Sequence, residues 1–331
     1  STLMRSSAAS DVYKRQIVAI LLTNSVAASG LDVTIEMLKH NHSSLDAIES
    51  GIRLVESDPE AGWVGYGGHP NLLGVVELDA GIMDGSNLNA GAVGALAGYK
   101  HPISVARKVM ERLPNVFLVG RGAARFAMDC QMESGVNLSD EAQKCWKEWL
   151  RNNLTGHESV LWPDISLIRL AGATANNKTA KGTTVFLSRD NDGNFSAGSS
   201  TSGWSFKYPG RLGDSAVIGS GIYADNRYGA AACTGMGELT LRSNTARSVI
   251  LYLKMNMSLE EACQEALNDL RSVKADYRGG VTIYALDAQG NKCVLSVKAL
   301  EEGLPECDTY YWYWDDNLEK PEKISALMEK W

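Results

Sequence analysis

The chain has 331 residues, with 32 Lys and Arg against 39 Asp and Glu, a formal net charge of −7. Clustered positive charge is what binds phosphate backbones, and no basic run exceeds two residues, so a nucleic-acid binder is excluded. Hydrophobic residues make up 44% of the chain and charged ones 21%, enough apolar content for a sizeable core and too much for a disordered chain. No apolar stretch approaches the roughly 18 residues of a membrane-spanning helix.

Residues 1–16 are small and polar without periodicity and read as a disordered or non-native extension. Arg15, the apolar run Ile17 to Leu22 and small residues Val26 to Ser29 imitate a secretory signal, but the run is short, and a buried first strand over Ile17 to Leu21 is the preferred reading. Next, Ser44 can cap a helix whose apolar positions Leu45, Ile48, Ile52 and Val55 fall at helical spacing, with Asp58-Pro59 as its stop. The turn-rich Gly65-Tyr-Gly-Gly-His-Pro-Asn71 is expected between two strands, the second at Val75 to Leu78. Pro102 opens a further helix, and Val116 to Val119 reads as a strand.

From Gln131 to Lys181 the composition turns polar and irregular, and its last stretch, Gly172 to Lys181, can bury little and is expected to be an exposed linker. Two strands over Thr183 to Ser188 and Asn194 to Ser199, joined by Asp190-Asn-Asp-Gly193, form a hairpin. Helices are predicted at Thr245 to Lys254 and after Ser258, where Ser258-Leu-Glu-Glu261 is a capping box. Val281 to Leu286 and Cys293 to Val297 are expected to close the chain as a second hairpin.

The six scattered cysteines contain no CxxC pair and read as reduced, buried residues of a cytoplasmic protein; a secreted, periplasmic or lysosomal location follows only if the N-terminal apolar segment is a signal. His40 and His42 have no third ligand nearby, so no metal site is expected, and no cofactor is implied. Two glycine patterns, Gly219-Ser-Gly221 and Gly120-Arg-Gly122, resemble fragments of a dinucleotide fingerprint. Neither has the third small residue opening a helix that such a site needs. With five histidines and no GxSxG, a serine triad has no obvious base.

What remains is a polar, glycine-rich cluster from Gly182 to Gly237. Its landmarks are Thr183, Ser200-Thr201-Ser-Gly203, Pro209-Gly-Arg211-Leu-Gly-Asp214-Ser215, Gly221-Ile-Tyr-Ala-Asp225 and Thr234-Gly235-Met-Gly237. With the upstream segments Leu78-Asp-Ala-Gly-Ile-Met-Asp84-Gly85 and Pro102-Ile-Ser-Val-Ala-Arg-Lys-Val109, this set resembles the threonine-nucleophile asparaginases of the N-terminal nucleophile hydrolase superfamily. The resemblance runs from about Ile17 to Val297, most of the chain.

That resemblance implies an α/β (α+β) fold, a four-layer αββα sandwich, made as one precursor. It implies cleavage between Gly182 and Thr183 into an α subunit, residues 17–182, and a β subunit, residues 183–331. Cleavage would free the α-amino group of Thr183, whose ordinary pKa of about 7.7 to 8 suits it as base for its own hydroxyl. Thr184 is a rival nucleophile, but the separation to Thr201 favours Thr183.

By the same resemblance Thr201 steadies the nucleophile, Arg211 grips a substrate α-carboxylate, Asp214 pairs with an α-ammonium, Thr234 and the Gly235 amide form an oxyanion hole, and Gly237 keeps the pocket open. An asparagine-type small molecule is the implied substrate and a homodimer of αβ units the implied assembly, with neither nucleic acid nor membrane as partner. The Gly65 to Asn71 loop looks like the glycosylasparaginase branch, which favours cleavage of N4-(β-N-acetylglucosaminyl)-L-asparagine; the Gly-Thr junction is also found in the isoaspartyl peptidase/L-asparaginase branch. A non-catalytic relative that binds an amino-acid-like ligand, and a nucleotide-binding α/β protein, are the alternatives.

Overall fold

A computed structural model of the chain describes residues 18–61, 64–174, 182–301, 304 and 306–331. Two sheets face each other, and helices cover both outer surfaces. The larger sheet contains β1 (Ile20–Asn24), β2 (Leu78–Asp84), β3 (Ala90–Leu96), β4 (Phe117–Val119), β5 (Thr183–Arg189), β6 (Phe195–Thr201), β11 (Tyr310–Asp315) and β12 (Glu322–Ser325), in the order β12-β11-β1-β5-β6-β2-β3-β4. The smaller contains β7 (Ile222–Asp225), β8 (Gly229–Gly235), β9 (Val281–Asp287), β10 (Lys292–Val297) and β13 (Leu327–Glu329), in the order β13-β10-β9-β8-β7.

Three apolar layers separate the four structural ones. Helices α1 (Leu31–Lys39), α2 (Ser44–Ser57) and α3 (Pro102–Arg112) press Leu38, Ile48, Ile52 and Ile103 toward the larger sheet, beside Phe186. Leu22, Val185, Leu187, Ala232, Tyr284 and Leu286 fill the space between the sheets. Helices α8 (Gly237–Ser243), α9 (Thr245–Lys254) and α10 (Leu259–Ser272) cover the smaller sheet with Leu239, Val249, Ile250, Ala266 and Leu270. Strands buried on both faces carry near-continuous apolar or small residues, which is why β5 and β8 show no alternation in sequence.

Several sequence expectations hold and others are corrected. The central hairpin, helix α9 and the Ser258-Glu261 capping box stand where they were predicted. Helix α2 is capped by Ser43, whose side chain accepts from the Asp46 amide, and not by Ser44, whose amide and hydroxyl turn inward to Asp190 and Ser196. The first strand begins at Ile20, while Ile17 and residues 1–16 lie outside the described residues. Among the described residues no strand lies between α2 and the Gly65 to Asn71 turns, and the strand expected at Val75 starts at Leu78.

The stretch that reads as polar and irregular folds into α5 (Asp140–Asn153), α6 (Gly156–Leu161) and α7 (Ile168–Thr174), after α4 (Gly120–Asp129), and the linker expected from Gly172 begins inside α7. Trp146, Trp149, Trp162 and Leu170 gather there on Leu72 and Phe206, so a few large rings supply the core that the average composition concealed. Residues 175–181, the end of that expected linker, lie outside the described residues. The second hairpin does not close the chain, because β11 to β13 follow it. Both fingerprint readings fail: Gly221 leads into strand β7, and the glycines at 120 and 122 belong to α4 at the sheet's edge.

One buried charge pair fastens the loop that follows β6 to the core. Asp79 on β2 accepts the Ala95 amide at 2.8 Å and the Gly213 amide at 3.2 Å, and Lys207 Nζ lies 3.8 Å from it. Lys207 also donates to the Glu77 carbonyl at 3.0 Å, and burial pushes its ammonium below the usual lysine range. Removing one member strands the other charge in the interior. Asp79→Ala is therefore expected to cost about 3 to 5 kcal/mol, and Asp79→Ala combined with Lys207→Met to cost less than the single change; urea denaturation of the three proteins measures both.

Candidate active site

Asn24 ends β1 beside the start of β5. Its side-chain amide donates to the Thr183 carbonyl at 2.7 Å and its Oδ1 accepts the Val185 amide at 3.2 Å, so the first residues of β5 are held on both edges of the peptide. On the other flank Thr183 is in register with Thr201, the last residue of β6. A cavity of about 500 Å³ opens there, and all the residues singled out from the sequence line it: Gly182, Thr183, Thr201, Arg211, Asp214, Thr234, Gly235 and Gly237.

The hydroxyls form a directed chain. Thr183 Oγ1 donates to Thr201 Oγ1 at 3.3 Å, Thr201 Oγ1 donates to the Gly182 carbonyl at 2.5 Å, and the Gly203 amide donates to Thr201 Oγ1 at 2.9 Å. Thr201 is therefore fully committed, accepting twice and donating once. Gly182 has φ of 148°, a region essentially closed to residues with a side chain, which accounts for a glycine before Thr183. Behind Thr201, Ser200 donates to the buried Glu56 at 2.7 Å, and the same carboxylate oxygen accepts the Ile103 amide at 3.0 Å at the start of α3. His101 stands 3.4 Å from its other oxygen. Burial raises the Glu56 pKa, against the hydrogen bonds from His101 and Ser200.

Arg211 and Asp214 reach the cavity from one loop but do not pair with each other. Arg211 Nε and Nη2 both contact Glu238 Oε1, at 3.0 and 2.7 Å, and the guanidinium lies 4.8 Å from the Trp204 ring centre. Its Nη1 fits between Gly203 and Gly213, where an added Cβ would stand 3.0 and 3.1 Å away. Asp214 Oδ2 accepts from Thr240 at 2.7 Å, while Oδ1 faces Gly237, where a Cβ would approach within 2.8 Å. Small residues thus leave one edge of each charged group open to the cavity.

Sequence reasoning missed Asp308. Its Oδ2 accepts from Thr234 Oγ1 at 2.8 Å and from Tyr284 at 2.6 Å, and its Oδ1 accepts from Ser25 at 2.5 Å. A hydroxyl has one proton, so in this arrangement the Thr234 hydroxyl points at Asp308, and it must turn to donate elsewhere. Burial, with the Asp308 charge, pushes the Tyr284 phenol well above its usual range. Strand β1 runs on to Asn24, and the cavity meets Asn24, Ser25 and Val26. Among the described residues no group of His, Cys, Asp or Glu is arranged to hold a metal ion, and no helix is long and apolar enough to cross a membrane.

Asp214 is buried, and burial raises its pKa from 3.8 to about 6, opposed by the Thr240 hydrogen bond. A carboxyl with a raised folded pKa stabilises the fold most when protonated, and that contribution is lost as pH rises through about 6. Two pKa units correspond to about 3 kcal/mol. Asp214→Asn is accordingly expected to be at least as stable as the parent at pH 7, and to lose the parent's decline in melting temperature between pH 4 and 6, as scanning calorimetry would record.

Comparison with known proteins gives the family. The asparaginase family Asparaginase_2 matches residues 21–299. An N(4)-(beta-N-acetylglucosaminyl)-L-asparaginase of Elizabethkingia miricola is 39% identical over 261 residues, covering 76% of this chain and 69% of that one. An isoaspartyl peptidase/L-asparaginase of Mus musculus is 36% identical over 237 residues, with 72% and 68% covered, and an isoaspartyl peptidase of Salmonella typhimurium is 34% identical over 257 residues, with 77% and 78% covered. The chain belongs to the Asparaginase_2 family of amidohydrolases.

Proposed function

We propose that the chain cuts itself between Gly182 and Thr183 into subunits ending and beginning at those residues, and that Thr183 then hydrolyses the side-chain amide of asparagine derivatives, foremost N4-glycosylated asparagine. The observation that carries this reading is the hydroxyl chain from Thr183 through Thr201 to the Gly182 carbonyl, in one cavity with an arginine and a buried aspartate.

In the uncut chain Thr201 donates to the carbonyl oxygen on which negative charge develops when Thr183 Oγ1 attacks the Gly182 carbon. A donor already in place needs no reorganisation at that moment. Transfer of the Gly182 acyl group to that oxygen, with the hydroxyl proton passing to the nitrogen, frees the Thr183 amine, and hydrolysis of the ester by water releases the Gly182 carboxylate and restores the hydroxyl. The amine then takes the proton of its own hydroxyl as it attacks a substrate amide, giving a β-aspartyl ester and an amine leaving group that carries the proton away. Water hydrolyses the ester and restores the threonine. Arg211 offers its Nη1 edge to the α-carboxylate and Asp214 its Oδ1 to the α-ammonium. Thr234, once turned from Asp308, and the Gly235 amide face the developing oxyanion.

The glycosylated substrate is favoured by the Gly65 to Asn71 loop and by likeness to the Elizabethkingia enzyme of that printed activity. Relatives named isoaspartyl peptidase, between 34 and 36% identical, keep β-aspartyl peptides and asparagine as the second reading. Release of N-acetylglucosamine from glycosylasparagine, set against ammonia from asparagine, separates the two.

Intact mass spectrometry of the purified protein is expected to show a fragment beginning at Thr183. Thr183→Ala should abolish both that fragment and amide hydrolysis, and Thr201→Val should slow the fragment's appearance by about 100- to 1,000-fold. Uncut protein that turns over substrate at full rate refutes the proposal. For the mature enzyme, the fall of kcat/KM toward acid is expected to steepen below about pH 6, where protonation of Asp214 adds to that of the Thr183 amine. The acid limb of kcat should lie lower, because the bound ammonium favours the carboxylate.

A further inference from the structure

The segment after the family match builds a wall of the cavity. Glu306, Asp308, Thr309 and Tyr310 line it beside Ser25, yet all but Ser25 lie beyond residue 299. Their side of the cavity follows from the sheet order β11-β1-β5-β6-β2. Thr183 begins the middle strand, and Tyr311 of β11 is in register with Asn24 of β1. Arg211 and Asp214 sit on the opposite flank, in the loop whose Gly213 amide is held by Asp79 of β2. Strands are spaced roughly 4.8 Å apart, so the wall at 306–310 stands about two strands from the nucleophile. A substrate whose amino-acid head lies at Arg211 and Asp214 with its amide at Thr183 must direct its leaving group toward Asp308.

The chemistry of that wall is selective. An ionised carboxylate has about four acceptor sites, and Asp308 fills three of them with Thr234, Tyr284 and Ser25. One site on Oδ1 remains among the described contacts. Glu306 adds a second, exposed carboxylate, and Lys298 is the cation lining the same end. Acceptors of this kind suit a leaving group with several hydroxyl and amide donors. They oppose a leaving amino acid, whose own carboxylate would enter a wall already holding two.

We infer that Asp308 and Glu306 form a leaving-group subsite that selects a polyhydroxylated, sugar-like amine over an amino acid. The inference rests on the amidohydrolase reading above for the placement of the head group. Asp308 is a specificity-determining residue in this scheme, and its hold on Thr234 is a separate contact that every substrate would share.

The test compares the mature enzyme with Asp308→Asn and Glu306→Gln on glycosylasparagine, β-aspartyl-leucine and asparagine. Asparagine releases only ammonia and so reports the shared contact. In both variants kcat/KM for glycosylasparagine should fall at least tenfold more than for asparagine, and the ratio for β-aspartyl-leucine to glycosylasparagine should rise. Equal losses on all three substrates, or unchanged ratios, overturn the subsite. Saturation-transfer NMR with free N-acetylglucosamine reads the subsite without turnover. A signal in the parent that is lost in Asp308→Asn supports the subsite even if none of the three substrates is hydrolysed, an outcome that would sink only the activity. No signal in the parent overturns the subsite.

Discussion

The structure depends on the pairing of β5 with β6, which brings two threonine hydroxyls and one peptide carbonyl into a single directed chain. The chain works because each proton has one destination. Thr201 receives from Thr183 and from the Gly203 amide and passes its own proton to Gly182. A shift of the hairpin by one residue would turn both side chains to the opposite face of the sheet. The register is held by Phe186 and Phe195, packed in the two layers on either side of this sheet, and by Asn24, which bonds the first peptides of β5.

Buried charge holds the surroundings of that chain in place. Asp79 with Lys207 ties the arginine-bearing loop to β2, and Glu56 ties α2, α3 and β6 together directly behind Thr201. Such groups contribute little net stability, because desolvation offsets much of the attraction, but they fix geometry since removal of a partner is costly. Asp214 differs. It is buried with a single hydroxyl donor and one oxygen toward the cavity, a costly arrangement for the fold that suits a group waiting for a cation.

The C-terminal segment joins the two sheets. Strand β11 adds to β1 on the larger sheet, β13 adds to β10 on the smaller, and the residues just before β11 enter the cavity. Asp308 accordingly contacts Ser25, Thr234 and Tyr284 directly, and its backbone bonds Thr282 and Ser296. The cavity wall is thus assembled from both expected subunits, and part of it lies on a segment beyond the residues that the family match covers.

The amino-acid sequence by itself determined the local elements and the neighbourhood of Thr183. Capping and periodicity are short-range, so α9, α10 and the β5-β6 hairpin could be read from a few adjacent residues, and Thr183, Thr201, Arg211, Asp214 and Thr234 stand in compact motifs. The tertiary structure alone decided what depends on contacts distant in the chain. Helices α5 to α7 were hidden because their core is a handful of tryptophans resting on Leu72 and Phe206. Ser139 and Thr155 cap α5 and α6 in the structure, signals that sequence reasoning missed. Asp308 could not be read at all, since a lone aspartate acquires meaning only when Ser25, 283 positions away, and Thr234, 74 away, fold against it.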